Sequence, residues 1–137
     1  MSTKEITNDI LIIDDEPEVL EVFSGYCKEL NYFRRVIIAK DGFEAGVKLK
    51  NQNFCLILLD IHMPKKNGIE ILHEITASDK NSVKNVILVS GDLNRKYLSE
   101  AIELGAKTVL IKPFTKEAFD QKIREVLSKV RPEVLKV

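Results

Sequence analysis

The chain has 137 residues, 45% hydrophobic and 31% charged, the size and make-up of one folded domain rather than of a disordered or low-complexity segment. Lys plus Arg and Asp plus Glu both number 21, so the net charge is zero, with no basic excess to neutralise nucleic-acid phosphates. The longest apolar runs, residues 55–59 and 86–89, fall far short of the roughly 18 residues that a membrane span requires.

The N-terminal stretch MSTKEITNDILIIDD has a four-residue apolar run that ends in two aspartates. It does not read as a secretory leader, and a cytoplasmic protein is expected. Cys27 and Cys55 lie in separate apolar contexts without Cys-x-x-Cys spacing, as expected of reduced, packed thiols. The only histidines, His62 and His73, are too few to complete a zinc site with them, and His73 is expected on a helix surface. The doublets Arg34–Arg35 and Lys65–Lys66 read as solvated rims.

In chain order, short apolar runs alternate with amphipathic ones. Residues 10–13 (ILII) predict a strand buried on both faces. Val19, Leu20, Phe23, Cys27 and Leu30 then share one face of a helix over residues 16–31. Residues 36–39 predict the second strand, and Phe43, Val47 and Leu49 suggest a short second helix. Residues 55–59 predict the third strand, and Ile69, Leu72 and Ile75 a third helix that starts after Asn67-Gly68. Residues 86–89 give the fourth strand; Leu93, Tyr97, Ala101 and Leu104 give a fourth helix, with Gly105 placed as its C-terminal cap. Residues 108–111 give the fifth strand, and Phe119, Ile123, Val126, Leu127 and Val130 a fifth helix. The second to fifth strands, like the first, read as buried on both faces. Five strands alternating with five helices imply an α/β fold with right-handed crossovers.

Polar residues interrupt this pattern where strands end. Asp14 and Asp15 follow strand one, Asp60 strand three, Ser90 strand four and Lys112 strand five. All would lie at the carboxyl edge of one parallel sheet, where open α/β sheets place their ligand sites. Singly they admit plain readings: Asp15 with Glu18 as a helix capping pair, Asp60, Ser90 and Lys112 as strand-end or turn residues. Together they place three carboxylates beside a hydroxyl and an ammonium.

Two carboxylates about 5 Å apart repel by roughly 3 kcal/mol at an effective dielectric near 20. Three crowded together raise their pKa values or require a cation, and hard oxygen ligands suit Mg²⁺. Asp15 and Asp60 would ligate it directly, Asp14 would hold a cation-bound water, and the backbone carbonyl of His62 would complete the protein ligands. A carboxylate that attacks phosphorus becomes an acyl phosphate, which Lys112 and the Ser90 hydroxyl can then contact. Two charge-assisted bonds of about 1.5–3 kcal/mol each approach the roughly 5.5 kcal/mol that turns a mostly-off equilibrium mostly on.

These residues match the response-regulator receiver domain of two-component signalling. The resemblance covers residues 9–129 and is carried by ILIIDDEPEVL, LILLDIHMPKKNGIEIL, VILVSGD and GAKTVLIKPFT. It implies a flavodoxin-like, doubly wound five-stranded parallel sheet of order 2-1-3-4-5 with five helices, as in chemotaxis receivers. Asp60 resembles the phospho-acceptor, Asp14 and Asp15 the acidic pair at the Mg²⁺ site, Ser90 the switch hydroxyl and Lys112 the phosphoryl-contacting lysine. The Lys112-Pro113 bond is expected to be cis. His62 and Asp92 occupy positions that tune loss of the phosphoryl group in such domains. Helix four, strand five and helix five form the usual partner face, to which Tyr97 and Lys116 belong unless they are ordinary surface residues. One departure is Val109, where the family often carries an aromatic switch residue.

The expected protein is a single receiver domain over residues 1–137 with a short tail at 131–137, a phosphoryl acceptor rather than a turnover enzyme. Its partners would be a sensor histidine kinase or phosphotransfer protein and a downstream target protein, with no nucleic acid bound directly and no membrane. Three alternatives stand beside it: a receiver cut from a hybrid kinase or transcription factor, a phosphorylation-silent scaffold, and an aspartyl-nucleophile phosphohydrolase. The last is disfavoured because its first strand should end in Asp-x-Asp.

Overall fold

The β-branched runs of the sequence build a sheet, and the amphipathic runs cover both of its faces. The structure is a computed structural model that describes residues 6–63, 66–91 and 95–136. Its elements are β1 (Asp9–Ile13), α1 (Pro17–Leu30), β2 (Arg35–Ala39), α2 (Gly42–Asn51), β3 (Leu56–Asp60), α3 (Gly68–Ala77), β4 (Val86–Ser90), α4 (Arg95–Glu103), β5 (Thr108–Ile111) and α5 (Lys116–Val130). All five strands pair in parallel in the order β2-β1-β3-β4-β5, the doubly wound order that the receiver resemblance implies. Lys65, Asp92 and Leu93 lie outside the described residues.

Alternate residues of each central strand feed two apolar layers. Leu11, Ile13, Ile57, Leu59 and Leu88 pack with Ala45, Leu49, Leu72, Ile75 and Ala101 of α2, α3 and α4. Ile10, Ile12, Leu56, Leu58 and Ile87 pack with Phe23, Cys27, Phe119, Ile123 and Leu127 of α1 and α5. Both cysteines are free and buried, and burial pushes each thiol up to about 12.

Burial on both faces holds for β1, β3 and β4 but not for the outer strands. In β2, Ile38 is 43% exposed, and in β5 Ile111 is 39% exposed. Each is an edge strand with a neighbour on one side only, so the crossover helices shield it less completely. Helix α2 also differs from its apolar pattern. Phe43 and Val47 point to solvent, while Gly42, Ala45, Gly46 and Leu49 face inward. The reason is Lys66, which lies across the small residues: a Cβ on Gly42 would stand 2.7 Å from the Lys66 carbonyl oxygen. The Lys66 ammonium pairs with Glu74 of α3 and sits 5.6 Å from the Phe43 ring centroid.

Local chemistry fixes the element ends. Asp41 caps α2 by accepting from Glu44 N at 2.7 Å, and Thr115 caps α5 by accepting from Ala118 N at 3.1 Å. Asn67 forms a capping box with Glu70 at the start of α3. Gly105 follows α4 with φ +103, the left-handed conformation that glycine adopts without strain. The Asp15–Glu18 capping pair is not formed. Glu16 is the N-cap of α1, no side chain caps it, and Pro17 opens the helix with no backbone N–H to satisfy. At the opposite end of the sheet, fully buried Asp9 accepts bonds from Arg34, Arg35 and Gln52. The short tail packs back: Val134 is buried, and Arg131 Nε donates to Asn8 Oδ1 at 2.9 Å.

Candidate functional site

The strand register gathers the polar residues. Ile13 is the β-partner of Leu59, so the next residues along, Asp14 and Asp60, end neighbouring strands. Asp60 in turn pairs with Val89, and Ser90 with Ile111. Lys112 N then donates to the Ser90 carbonyl at 2.7 Å, which carries the lysine to the same edge. The sheet thus delivers Asp14, Asp60, Ser90 and Lys112 to adjacent positions, with Asp15 one residue further on.

Side-chain geometry follows. Asp14, Asp15 and Asp60 each offer a carboxylate oxygen within 4.8 Å of the others; Asp14 and Asp60 are buried and Asp15 half-buried. Asp14 Oδ1 accepts from Glu16 N at 2.9 Å and Asp60 Oδ1 from His62 N at 3.1 Å. Lys112 Nζ lies 3.1 Å from Asp14 Oδ2 and 3.9 Å from Asp60 Oδ2. Burial, then the Asp14 charge, raise the Asp60 pKa; Lys112 and the His62 N–H oppose them, and the carboxyl is pushed up to about 7. Ser90 is buried at the end of β4. The Lys112-Pro113 peptide is cis, as expected.

The turn from β3 into α3 explains the Asp-x-x-Met-Pro-x-x-x-Gly spacing. Gly68 N donates to the Ile61 carbonyl at 3.0 Å, closing the turn. A Cβ on Gly68 would stand 2.7 Å from the Asp60 carbonyl oxygen and 2.8 Å from Ile61 Cα, so only glycine fits. Asn67 beside it caps α3. This turn holds the backbone of Asp60 and His62 in place.

The profile described as response regulator receiver domain matches residues 10–124. The chain belongs to that family. This receiver is 36% identical over 110 residues to the transcriptional regulatory protein MalR of Bacillus subtilis (strain 168), covering 80% of this chain and 46% of MalR. The chain thus spans about half the length of that curated relative. A CheY-like receiver domain protein from Methanospirillum hungatei matches at 27% identity and TM-score 0.78, covering 94% of this chain and 99% of that one. A sensor histidine kinase receiver domain from Pseudomonas aeruginosa, described with magnesium in its active-site cleft, shares the fold at 20% identity and TM-score 0.78, over 90% of this chain and 99% of that one.

His62 is exposed, and its ring meets Tyr97 of α4 edge-on with centroids 5.5 Å apart. His73 is exposed on α3. Val109 packs against the layer under α3 and α4. Lys116 is exposed and forms an ion pair with Glu29 of α1. Sequence reasoning missed Asp9; the Arg34–Arg35 doublet, read as a rim, was the signal for a buried counter-charge. It also missed the Gly68 constraint. No helix among the described residues is long and apolar enough to cross a membrane.

Proposed function

We propose that this receiver domain accepts a phosphoryl group on Asp60 from a phosphohistidine of a sensor kinase or phosphotransfer protein, and that the modified form signals by altered binding to a downstream target protein. The observation that carries this is three carboxylates within 4.8 Å of one another at the end of the sheet, with the Lys112 ammonium at their border. Such a cluster is costly on its own and fits a hard divalent cation by its donor chemistry. Asp15 and Asp60 would hold Mg²⁺ directly, Asp14 through a water, and the His62 carbonyl would add a third direct protein oxygen. When bound, the cation supplies positive charge that offsets the crowded carboxylates and the phosphoryl oxygens.

The chain's own residues do the rest. An oxygen of ionised Asp60 bonds to phosphorus as the bond from phosphorus to the donor imidazole nitrogen breaks, the electron pair leaving with the nitrogen. The His62 N–H orients the Asp60 carboxylate through Oδ1. Lys112, held by Asp14, stands where it can pair with a phosphoryl oxygen, and Ser90 ends the adjacent strand where its hydroxyl can donate to another. Attack of water on phosphorus later breaks the bond to the Asp60 oxygen, releasing inorganic phosphate and the free carboxylate, so the protein is an acceptor with its own reversal chemistry. The length of MalR, of which the match covers 46%, supports a second reading in which the same chemistry operates within a larger regulator.

The test is incubation with acetyl phosphate and Mg²⁺ followed by Phos-tag electrophoresis. A retarded band in the wild type that Asp60→Asn removes and EDTA prevents is expected. A wild type without that band overturns the reading in favour of a phosphorylation-silent scaffold.

A further inference from the structure

Asp60 and helix α4 are joined through two side chains. His62 N donates to Asp60 Oδ1 at 3.1 Å, so the backbone of His62 is tied to the acceptor carboxylate. The His62 ring meets the Tyr97 ring edge-on, with centroids 5.5 Å apart and planes at 80°. Tyr97 lies in the first turns of α4 and packs on the apolar layer that also holds Leu104 and Val109. Acceptor, loop, aromatic pair and helix therefore form one contiguous chain of contacts.

Helix α4 is poised to respond. Among its described residues Ala101 alone is fully buried, while Ile102 is 57% exposed. The neighbouring helix α3 buries Gly68, Ile69, Ile71, Leu72 and Ile75. An element held by so little buried surface belongs to the low-stability end of a fold. The rings also have room: Ile61, His62, Met63, Asn67 and Tyr97 line an open cleft of about 280 Å³. Tyr97 is the sole aromatic residue of α4 and β5.

We propose that the His62–Tyr97 ring pair is the link that carries the state of Asp60 to α4, in place of an aromatic on β5. The inference rests on Asp60 being the acceptor. Adding a phosphoryl group changes the charge and bonding of the carboxylate that holds His62 N. The His62 ring then moves with its backbone, and Tyr97 re-seats in the cleft with the first turns of α4. An aromatic pair of this kind biases a two-position helix by about 2- to 10-fold.

The experiment is ¹⁵N-resolved NMR of the full chain with Mg²⁺, with and without beryllofluoride, on wild type, Tyr97→Phe and Tyr97→Leu. Phosphoryl uptake from acetyl phosphate is followed separately on Phos-tag gels. The expected result is equal uptake by all three, with beryllofluoride shifts of the α4 amides kept in Tyr97→Phe and reduced at least 2-fold in Tyr97→Leu. In ¹³C-resolved aromatic spectra of the same samples, wild-type Tyr97 ring resonances should also shift, while those of Tyr26 and Tyr32 stay, a readout that does not depend on how the leucine variant folds. Normal uptake with undiminished α4 shifts in Tyr97→Leu, or an unmoved Tyr97 ring beside shifted α4 amides, overturns this inference alone. No uptake by the wild type overturns the acceptor reading and this inference with it.

Discussion

The Lys112 ammonium is 3.1 Å from Asp14 Oδ2, closer than its 3.9 Å approach to Asp60. The lysine is therefore paired with Asp14, yet it borders Asp60, the proposed acceptor. A phosphoryl group on Asp60 offers it a stronger anion within a small movement. A charge-assisted bond contributes about 1.5–3 kcal/mol, which is roughly 10- to 150-fold in an equilibrium. Lys112→Ala is thus expected to accept phosphate from acetyl phosphate while its on-to-off ratio falls by about that factor. The ratio of shifted to unshifted amide peaks in beryllofluoride measures it; a ratio equal to wild type counts against the role.

Burial and the Asp14 charge push Asp60 to about 7, far above the roughly 4 of an unfolded aspartate. The folded state therefore binds this proton more tightly than the unfolded chain. Stability from this group is full below pH about 4, falls as pH rises from about 4 to 7, and is flat above. In EDTA, the wild type should lose about 1–4 kcal/mol relative to Asp60→Asn on going from pH 4.5 to 8. Comparing melting curves of both proteins across that window subtracts the titrating groups that are not coupled to Asp60. Added Mg²⁺ at pH 8 should raise the wild-type Tm more than that of Asp60→Asn. Parallel melting curves with pH would remove the proposed carboxylate crowding.

The fold was legible because its central strands are uninterrupted apolar runs, such as ILII and VILV, and because caps such as Asn67 and Gly105 stand where helix patterns begin and end. The acidic edge was legible because charges at strand ends have no apolar explanation. What stayed hidden depends on long-range pairing. Periodicity does not reveal that Lys66 lies across α2 and turns Phe43 outward. Nor does it reveal that Asn81 and Asn85 are buried to bond the backbone at Phe54. Asp15 looked like a helix cap because its spacing to Glu18 is right, but Pro17 starts the helix one residue later than that pairing needs.

Asp9 makes the opposite pH prediction from Asp60. Burial raises its pKa, but bonds from Arg34, Gln52 and Arg35 outweigh that and hold the carboxyl well below the usual carboxylate range. Its stabilisation is present above the unfolded value near pH 4 and is lost as the pH falls below it. Asp9→Asn is expected to cost about 2 kcal/mol at pH 7 through lost charge-assisted bonds. The difference from wild type should shrink steadily below pH 4. Urea titrations at pH 7 and pH 3 measure it, and an equal loss at both would mean that packing, not charge, is what Asp9 supplies.

Two glycines separate a constraint on the site from a constraint on the helix. Gly25 lies inside α1 with nothing within 4 Å of an added Cβ. Gly25→Ala is expected to stabilise by about 0.5–1 kcal/mol, the ordinary helix-propensity gain, and to leave phosphoryl uptake alone. At Gly68 the same methyl meets backbone that belongs to Asp60 and Ile61, at 2.7 and 2.8 Å. Backbone cannot rotate away as a flexible side chain would, so the turn between β3 and α3 must open. Overpacking of this kind costs about 1–3 kcal/mol. Because that backbone carries Asp60, the proposed acceptor, and leads to the His62 N–H bonded to its carboxylate, uptake should slow as well. The comparison that matters is uptake at matched folded fraction, read from Phos-tag band intensity under conditions where both variants are fully folded. A Gly68→Ala protein that is merely less stable, with wild-type uptake once folded, would show that the turn supports the fold but does not position Asp60.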